Sequence, residues 1–385
     1  MSKGFKFLKI VTRLTLIVLA IFACKKLIDS RNINTYATST EITINVSDDK
    51  FYYSKLDSAK KGLYTAIHNG ISRFEPKIVY IQNLKKEEVL KSEDISDTLD
   101  FYMKDNPNVF YVSSKYTLEQ TKVMHYQIIT LNVSYQGTPE EIKQNINALE
   151  EKINTVIAEK ISPTMTNYQK ELTLHDYLLE NTDYYYCEDI ADIPYEKHTA
   201  YSALINKSCV CDGFSKAYSL LLDKVGIGNI VVSGIVDSTT HSWNLVNLDD
   251  EWYNVDVTSD NQTMDEKTKV KTHIFFNVTD EQIKSMYKKD NVEMLPECVA
   301  DKYNYFKYND YIISSNANIR TQLTNDANAQ KPMEALEIMV STSSDITQTL
   351  INTLYSMNFN NYKINGIKTI KYFKYNNIYI FPKGK

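Results

Sequence analysis

The chain has 385 residues, 43% hydrophobic and 24% charged, which allows two or three domains of ordinary globular composition. Its formal net charge of -5, with no basic stripe beyond the N-terminus, argues against a nucleic-acid partner. Its 5 cysteines form no paired pattern at zinc-ligand spacing, so no metal or cofactor is expected.

Lys3, Lys6, Lys9 and Arg13 precede an apolar run from Leu14 to Ala23, the arrangement of an export signal. The run falls short of the roughly 20 apolar residues that span a bilayer. Ile21-Phe22-Ala23-Cys24 is similar to a bacterial lipoprotein cleavage box, which makes Cys24 a candidate lipidation site. Phe22 and Lys25-Lys26 fit that box poorly, and an uncleaved signal anchor or ordinary cleavage are the alternatives. Residues 1–40 are thus read as a targeting or anchoring segment with a polar linker, placing the rest outside the cell membrane.

Residues 41–162 read as a small α/β domain. Helices are expected over Asp48–Ser72 and over Ser92–Asn106, the latter ending before Pro107. Strands are expected over Lys77–Gln82, Val109–Val112 and Val123–Tyr135. Thr138, Pro139 and Glu141 open a long helix with a capping box, and Ile142, Ile146, Leu149, Ile153 and Val156 form its buried stripe. No catalytic grouping is present here; His68 and His125 are read as structural or surface residues.

Residues 163–300 carry the chemistry. A helix over Asn167–Asn181 holds His175, read as structural. The loop His198–Leu204 is expected to approach a site, with Tyr201 and His198 as candidate substrate contacts. Cys211 precedes Ala217, Tyr218, Leu221, Leu222 and Val225 at helical spacing, and Gly226 ends that helix. The thiol therefore sits at a helix N-terminus, where unpaired N–H groups and the macrodipole favour an anion, and the thiolate is the nucleophilic form of cysteine.

Asn229–Val236 reads as a strand. His241–Leu248 and Glu251–Thr258 read as a hairpin turning at Asp249-Asp250. If Leu248 pairs with Glu251, alternation puts His241, Trp243 and Asp256 on one face, and His241 and Asp256 become diagonal neighbours. Cys, His and Asp in this order supply a thiol nucleophile, its base and the group that orients the base. Trp243 is a candidate substrate contact beside them.

Cys211-Asp212-Gly213-Phe214, the following Leu220-Leu221-Leu222 and Gly226-Ile227, Ser233-Gly234, His241-Ser242-Trp243-Asn244, and Trp252-Tyr253-Asn254-Val255-Asp256-Val257-Thr258 resemble the bacterial transglutaminase-like superfamily. The resemblance is firm over about Tyr168 to Asp260. Asp212 stands where the family often has Glu, and Cys209 is an unusual neighbour. The resemblance implies an α+β fold with a papain-like core, the nucleophile on a helix and the other two residues on adjacent strands. It implies Cys211 as nucleophile, His241 as general base and acid, and Asp256 as the orienting carboxylate.

Downstream, His273–Val278 reads as a strand and Thr279–Tyr287 as a short helix, with Asp260 and Asp265 in a solvated loop that lacks the pattern of an EF-hand. Residues 301–385 read as a second small α/β domain. It has strand pairs over Tyr303–Ser314, helices over Asn316–Ala329 and Asp345–Met357, a strand over Leu336–Val340, and a hairpin of Tyr362–Tyr372 with Asn377–Phe381. It carries no catalytic grouping. Among Cys187, Cys209 and Cys298 at most one pair can bridge if Cys24 is lipidated and Cys211 is free. The expected function is attack on amide bonds of protein or cell-wall peptides through an acyl-thioester. Hydrolysis is favoured over cross-linking, and a non-catalytic surface module that binds peptide or wall polymer is the alternative. Oligomeric state is not legible.

Overall fold

The computed structural model describes residues 46–47, 49–265, 268–315, 318–330, 335–342, 345–357 and 372–382. The targeting segment, Cys24 and the linker lie outside them, as do residues 362–371 of the expected C-terminal hairpin. By contact the chain divides into two units: one holds the chain up to Tyr102 with Val112–Tyr135, the other Met103–Tyr111 with Gln136 onward. Among the described residues no helix is long and apolar enough to cross a membrane.

The first unit places α1 (Phe51–Lys55), α2 (Ser58–Ser72), β1 (Lys77–Asn83), most of α3 (Ser92–Asp105), β2 (Val112–Val123) and β3 (Tyr126–Tyr135) around one antiparallel sheet of order β1-β3-β2. The single helix expected over 48–72 is broken because Asp57 caps a new start, its side chain accepting the Lys60 N–H at 2.9 Å. β2 is far longer than expected. Its Ser113–Lys122 stretch is polar and mostly exposed, so it lacks the alternation that marks a strand, and its pairing with β3 supplies the order. Val109–Tyr111, expected as a strand, forms a turn.

The second unit begins with α4 (Pro139–Lys160), whose capping box forms as expected. It continues through α5 (Asn167–Asn181), β4 (Asp183–Tyr184), β5 (Ser208–Cys209), α6 (Cys211–Lys224), β6 (Asn229–Val236), β7 (Thr239–Leu248), β8 (Glu251–Val255), α7 (Val257–Asp260), β9 (Asn261–Asp265), β10 (Thr268–Lys271), α8 (Asp280–Ile283) and β11 (Tyr287–Lys289). Helix α6 ends as its sequence dictates: Gly226 takes φ +75, Ile227 N–H reaches Leu222 O at 3.0 Å and Gly226 N–H reaches Asp223 O at 3.1 Å. Phe214, Ala217, Tyr218, Leu221 and Leu222 are buried, and the helix packs on the antiparallel sheet β11-β6-β7-β8. The β7–β8 hairpin has the expected register, Leu248 opposite Glu251. Its turn residues Asp249 and Asp250 adopt φ 53 and 64, the left-handed pair that a two-residue hairpin requires.

Two expectations fail next to this sheet. The β8 strand stops at Val255, and Val257–Asp260 is one helical turn capped by Asp256. His273–Val278 is a buried set of turns, with only an isolated bridge between Val278 and Asn254. It reads like a strand because it is buried throughout, yet individual bonds such as those of His273, Phe275 and Asn277 Nδ2 take the place of a ladder. The expected helix over 279–287 is short, since Tyr287 already belongs to β11.

The C-terminal part adds α9 (Tyr305–Tyr308), β12 (Ile312–Ile313), α10 (Ile319–Ala329), β13 (Ala335–Val340), α11 (Thr347–Ser356), β14 (Phe373–Tyr375) and β15 (Ile378–Pro382), with sheet order β12-β13-β15-β14. The Tyr303–Ser314 strand pairs are instead a helical turn and one short strand. Leu323, Leu336, Ile338, Leu350, Tyr379 and Phe381 form the core here. All of β13 is buried, including the acidic Glu337.

Gly234 is where β11 closes on β6. A Cβ there would lie 2.1 Å from the Lys288 carbonyl oxygen. Gly234→Ala is expected to lower stability by about 2 kcal/mol, read as a fall in thermal midpoint.

Candidate active site

The chain delivers Cys211 to a helix N-terminus through a short parallel pairing of β5 with β4. Lys207 turns in the left-handed region at φ 57, Ser202 Oγ donates to Ser208 O at 2.8 Å, and Val210 N–H reaches Lys197 O at 2.9 Å. Cys211 is the first residue of α6 and partly exposed. Cys209 is fully buried, and burial pushes its thiol well above the ordinary range. Gly213 is required because Cys209 and the Lys197 carbonyl press on it. A Cβ there would lie 2.4 Å from Cys209 Cβ and 2.9 Å from Lys197 O.

The β6–β7 register sets His241 opposite Gly234, on the face that looks to α7. His241 Nε2 lies 2.7 Å from Asp256 Oδ2, and Cys211 lies close enough to His241 to favour its charged form. The three residues read as a triad are therefore contiguous. Asp256 is 2% exposed and accepts several donors at once. Ser259 Oγ at 2.7 Å and Tyr287 Oη at 2.8 Å donate to Oδ2, while Ser259 N–H donates to Oδ1 at 2.9 Å. Burial works against charge on both partners, but attraction wins. The Asp256 charge and hydrogen bond, with those of Cys211, lift His241 to about 11. The charge of His241 and the donors on Asp256 hold that carboxyl below its ordinary range.

Other expectations need correction. Trp243 is 1% exposed, so it is no substrate contact. Its Nε1 donates to Asn254 Oδ1 at 3.1 Å and its ring backs His241 at 6.2 Å between centroids, because β7 is covered on both faces. Tyr201 is partly exposed, stacks on Phe110 at 4.7 Å and donates to Asn145 Oδ1 at 3.2 Å. His198 pairs with Asp212 Oδ2 at 3.0 Å and so ties that loop to the first turn of α6. Asp260 is not solvated but fully buried, accepting from Thr272 Oγ1 and Phe275 N–H, each at 3.0 Å, and facing His175 Nε2 at 3.2 Å. The Asp265 side chain lies outside the described residues. Cys187, Cys209, Cys211 and Cys298 are unbridged.

Sequence reasoning missed Tyr287, Ser259 and Tyr184. Ser259 stands three residues after Asp256, which is cap spacing and a usable signal. Tyr287 carries none, since it arrives from a different strand. Tyr184 pairs with Cys209 in β4–β5, and burial followed by the charge of nearby Cys211 raises its hydroxyl to about 12. His175, Asp176 and His273 could together hold a metal ion.

Two outcomes are expected. Gly213→Ala should cost about 2 kcal/mol of stability and slow alkylation of Cys211, read by thermal unfolding and peptide mass spectrometry. The His241–Asp256 pair should act over a defined pH window. With an unfolded value of about 6.5, the raised His241 contributes fully below that pH and loses its contribution as pH rises through about 11. The lowered Asp256 contributes above its unfolded value of about 3.9 and loses its contribution as pH falls through its folded value. Asp256→Asn should therefore cost most between these limits, about 3 kcal/mol, and progressively less toward either end in thermal denaturation across pH.

Residues 155–257 match the family model of the transglutaminase-like superfamily. No curated protein matches the chain. Similar solved structures include a TGase (16% identity, TM-score 0.27, covering 50% of this chain and 53% of that one). A candidate cysteine protease from Cytophaga hutchinsonii shows 11% identity and a TM-score of 0.24, over 38% of this chain and 63% of that one. A candidate protease from Parabacteroides distasonis shows 10% identity and a TM-score of 0.21, over 37% of each. The chain thus spans less than two thirds of each of these structures. Over residues 155–257 the chain is thus similar to the transglutaminase-like superfamily.

Proposed function

We propose that this protein is a cysteine-dependent enzyme that cleaves amide bonds of protein or cell-wall peptides, with Cys211 as nucleophile, His241 as acid and base, and Asp256 as the orienting carboxylate. The observation that carries the reading is the placing of Cys211, at the start of α6, beside a His241 that bonds an Asp256 held by Ser259 and Tyr287. A buried carboxylate with so many donors has one orientation, which fixes the imidazole in turn.

The step begins with the Cys211 sulfur as thiolate and His241 as imidazolium. The sulfur bonds to the amide carbonyl carbon, and the carbonyl oxygen takes the negative charge. The N–H of Cys211, one of the unpaired donors of the first helical turn, supports that oxygen. The C–N bond breaks as His241 gives its proton to the leaving amine, and an acyl-thioester remains. Water then attacks the thioester carbon, His241 accepts its proton, and the S–C bond breaks to release the acid. A lysine amine in place of water would give cross-linking by the same groups. Hydrolysis is the favoured outcome, and the N-terminal segment is proposed to hold the enzyme at the outer face of the cell membrane.

Iodoacetamide labelling of Cys211 is expected to persist at pH 6 in the wild type and to fall at least about tenfold in His241→Ala. Ordinary, His241-independent labelling would remove the catalytic reading. Incubation of peptide amides with and without an amine acceptor, followed by mass spectrometry, separates hydrolysis from transfer.

A further inference from the structure

A second line of acids and histidines, all buried except the half-buried Asp176, runs from the C-terminal sheet to the base of the candidate site. Glu337 on β13 and His273 are both fully buried. Glu337 Oε2 accepts the His273 backbone N–H at 2.8 Å, and its Oε1 lies 2.8 Å from His273 Nδ1. His273 Nε2 lies 2.9 Å from Asp176 Oδ1, which also faces His175 Nδ1 at 3.2 Å. His175 Nε2 then meets Asp260 Oδ2 at 3.2 Å. Acid and histidine alternate along the whole ladder, and Tyr305 stacks on His273 at 3.9 Å to fix its plane.

The ladder ends on the groups that hold Asp256. Asp260 N–H bonds Asp256 O at 3.1 Å, closing α7. Asp260 Oδ1 accepts Phe275 N–H at 3.0 Å, and Phe275 O accepts Asp256 N–H at 3.1 Å. Thr272 N–H reaches Asp260 O at 2.8 Å. The 272–276 segment is thus gripped by Asp256 and Asp260 on one side and by Glu337 on the other. It lacks a ladder of strand hydrogen bonds, so these side chains are what fix it.

We propose that the C-terminal part is a component of the active site, with Glu337 and His273 acting as positioning residues that set the orientation of Asp256 through the 272–276 segment. The inference rests on the triad reading for its effect on chemistry, but its structural half stands apart from it.

The test compares wild type with Glu337→Gln, which keeps size but not charge, and with Leu354→Ala. Leu354 is a buried core residue of the same sheet region outside the ladder. Glu337→Gln is expected to slow Cys211 alkylation at pH 6 by about threefold to tenfold, well below its melting temperature. It should also speed amide exchange in the 254–276 peptide. Leu354→Ala should lower the melting temperature and leave both readings unchanged. Equal effects from the two variants, or none from Glu337→Gln, would overturn the inference while leaving a His241-dependent thiol intact. If alkylation is independent of His241, the triad reading fails instead, and amide exchange alone decides the ladder. Should Glu337→Gln not fold, Glu337→Asp, which shortens the reach and keeps the charge, takes its place with the same expected outcomes.

Discussion

The carboxylate of Asp256 is the point on which the structure turns. It receives His241, Ser259 and Tyr287 in the space of one buried group and caps α7 through Ser259 N–H. A buried carboxylate is costly unless its lone pairs are matched. Here the matching donors come from β7, from the turn after Asp256 and from β11. The sheet, the short helix and the closing strand must all be in place before that charge is tolerable. The same requirement makes β8 stop at Val255, since a strand continuing through Asp256 would carry Ser259 away from it.

Around this group the packing is built to exclude choice. Trp243 stands behind His241 and is bonded to Asn254, so the imidazole has a wall on one side and a carboxylate ahead. Ser215 Oγ and Ser242 Oγ meet at 2.8 Å, and Asn244 Nδ2 donates to Ser215 O at 3.0 Å. These polar contacts between α6 and β7 sit in an otherwise apolar layer. They fix the sliding position of the helix on the sheet, and with it the distance from Cys211 to His241. Nonpolar contacts alone are less directional and would leave that position less defined.

The C-terminal part changes meaning in this light. Its own core of Leu, Ile and aromatic residues accounts for its folding. That core does not account for a fully buried glutamate in the middle of β13. Glu337 is matched by His273 and by Gln330, whose Oε1 accepts the Glu337 N–H at 2.8 Å. A buried acid that bonds the segment beside Asp256 ties the two regions together by charge as well as by shape.

Local sequence determined a good deal by itself. The capping box at Thr138, the Gly226 stop and the paired left-handed aspartates of the β7–β8 turn are short-range chemistry, and all formed as read. Hairpin register follows from turn length, so His241 and Asp256 could be paired from the sequence alone. What tertiary structure decided lies where partners are distant or where burial removes alternation. Trp243 looked like a substrate contact because nothing local reveals that β7 is covered on both faces. Asp260 looked solvated because its partners His175 and Phe275 come from a different helix and a later turn. Tyr287 and Glu337 carried no signal, since a tyrosine or a glutamate becomes a positioning group only when the fold buries it against an opposite charge or a hydrogen-bond partner. Chain-local patterns encode caps, turns and periodicity; which polar group meets which inside the protein is settled only by packing.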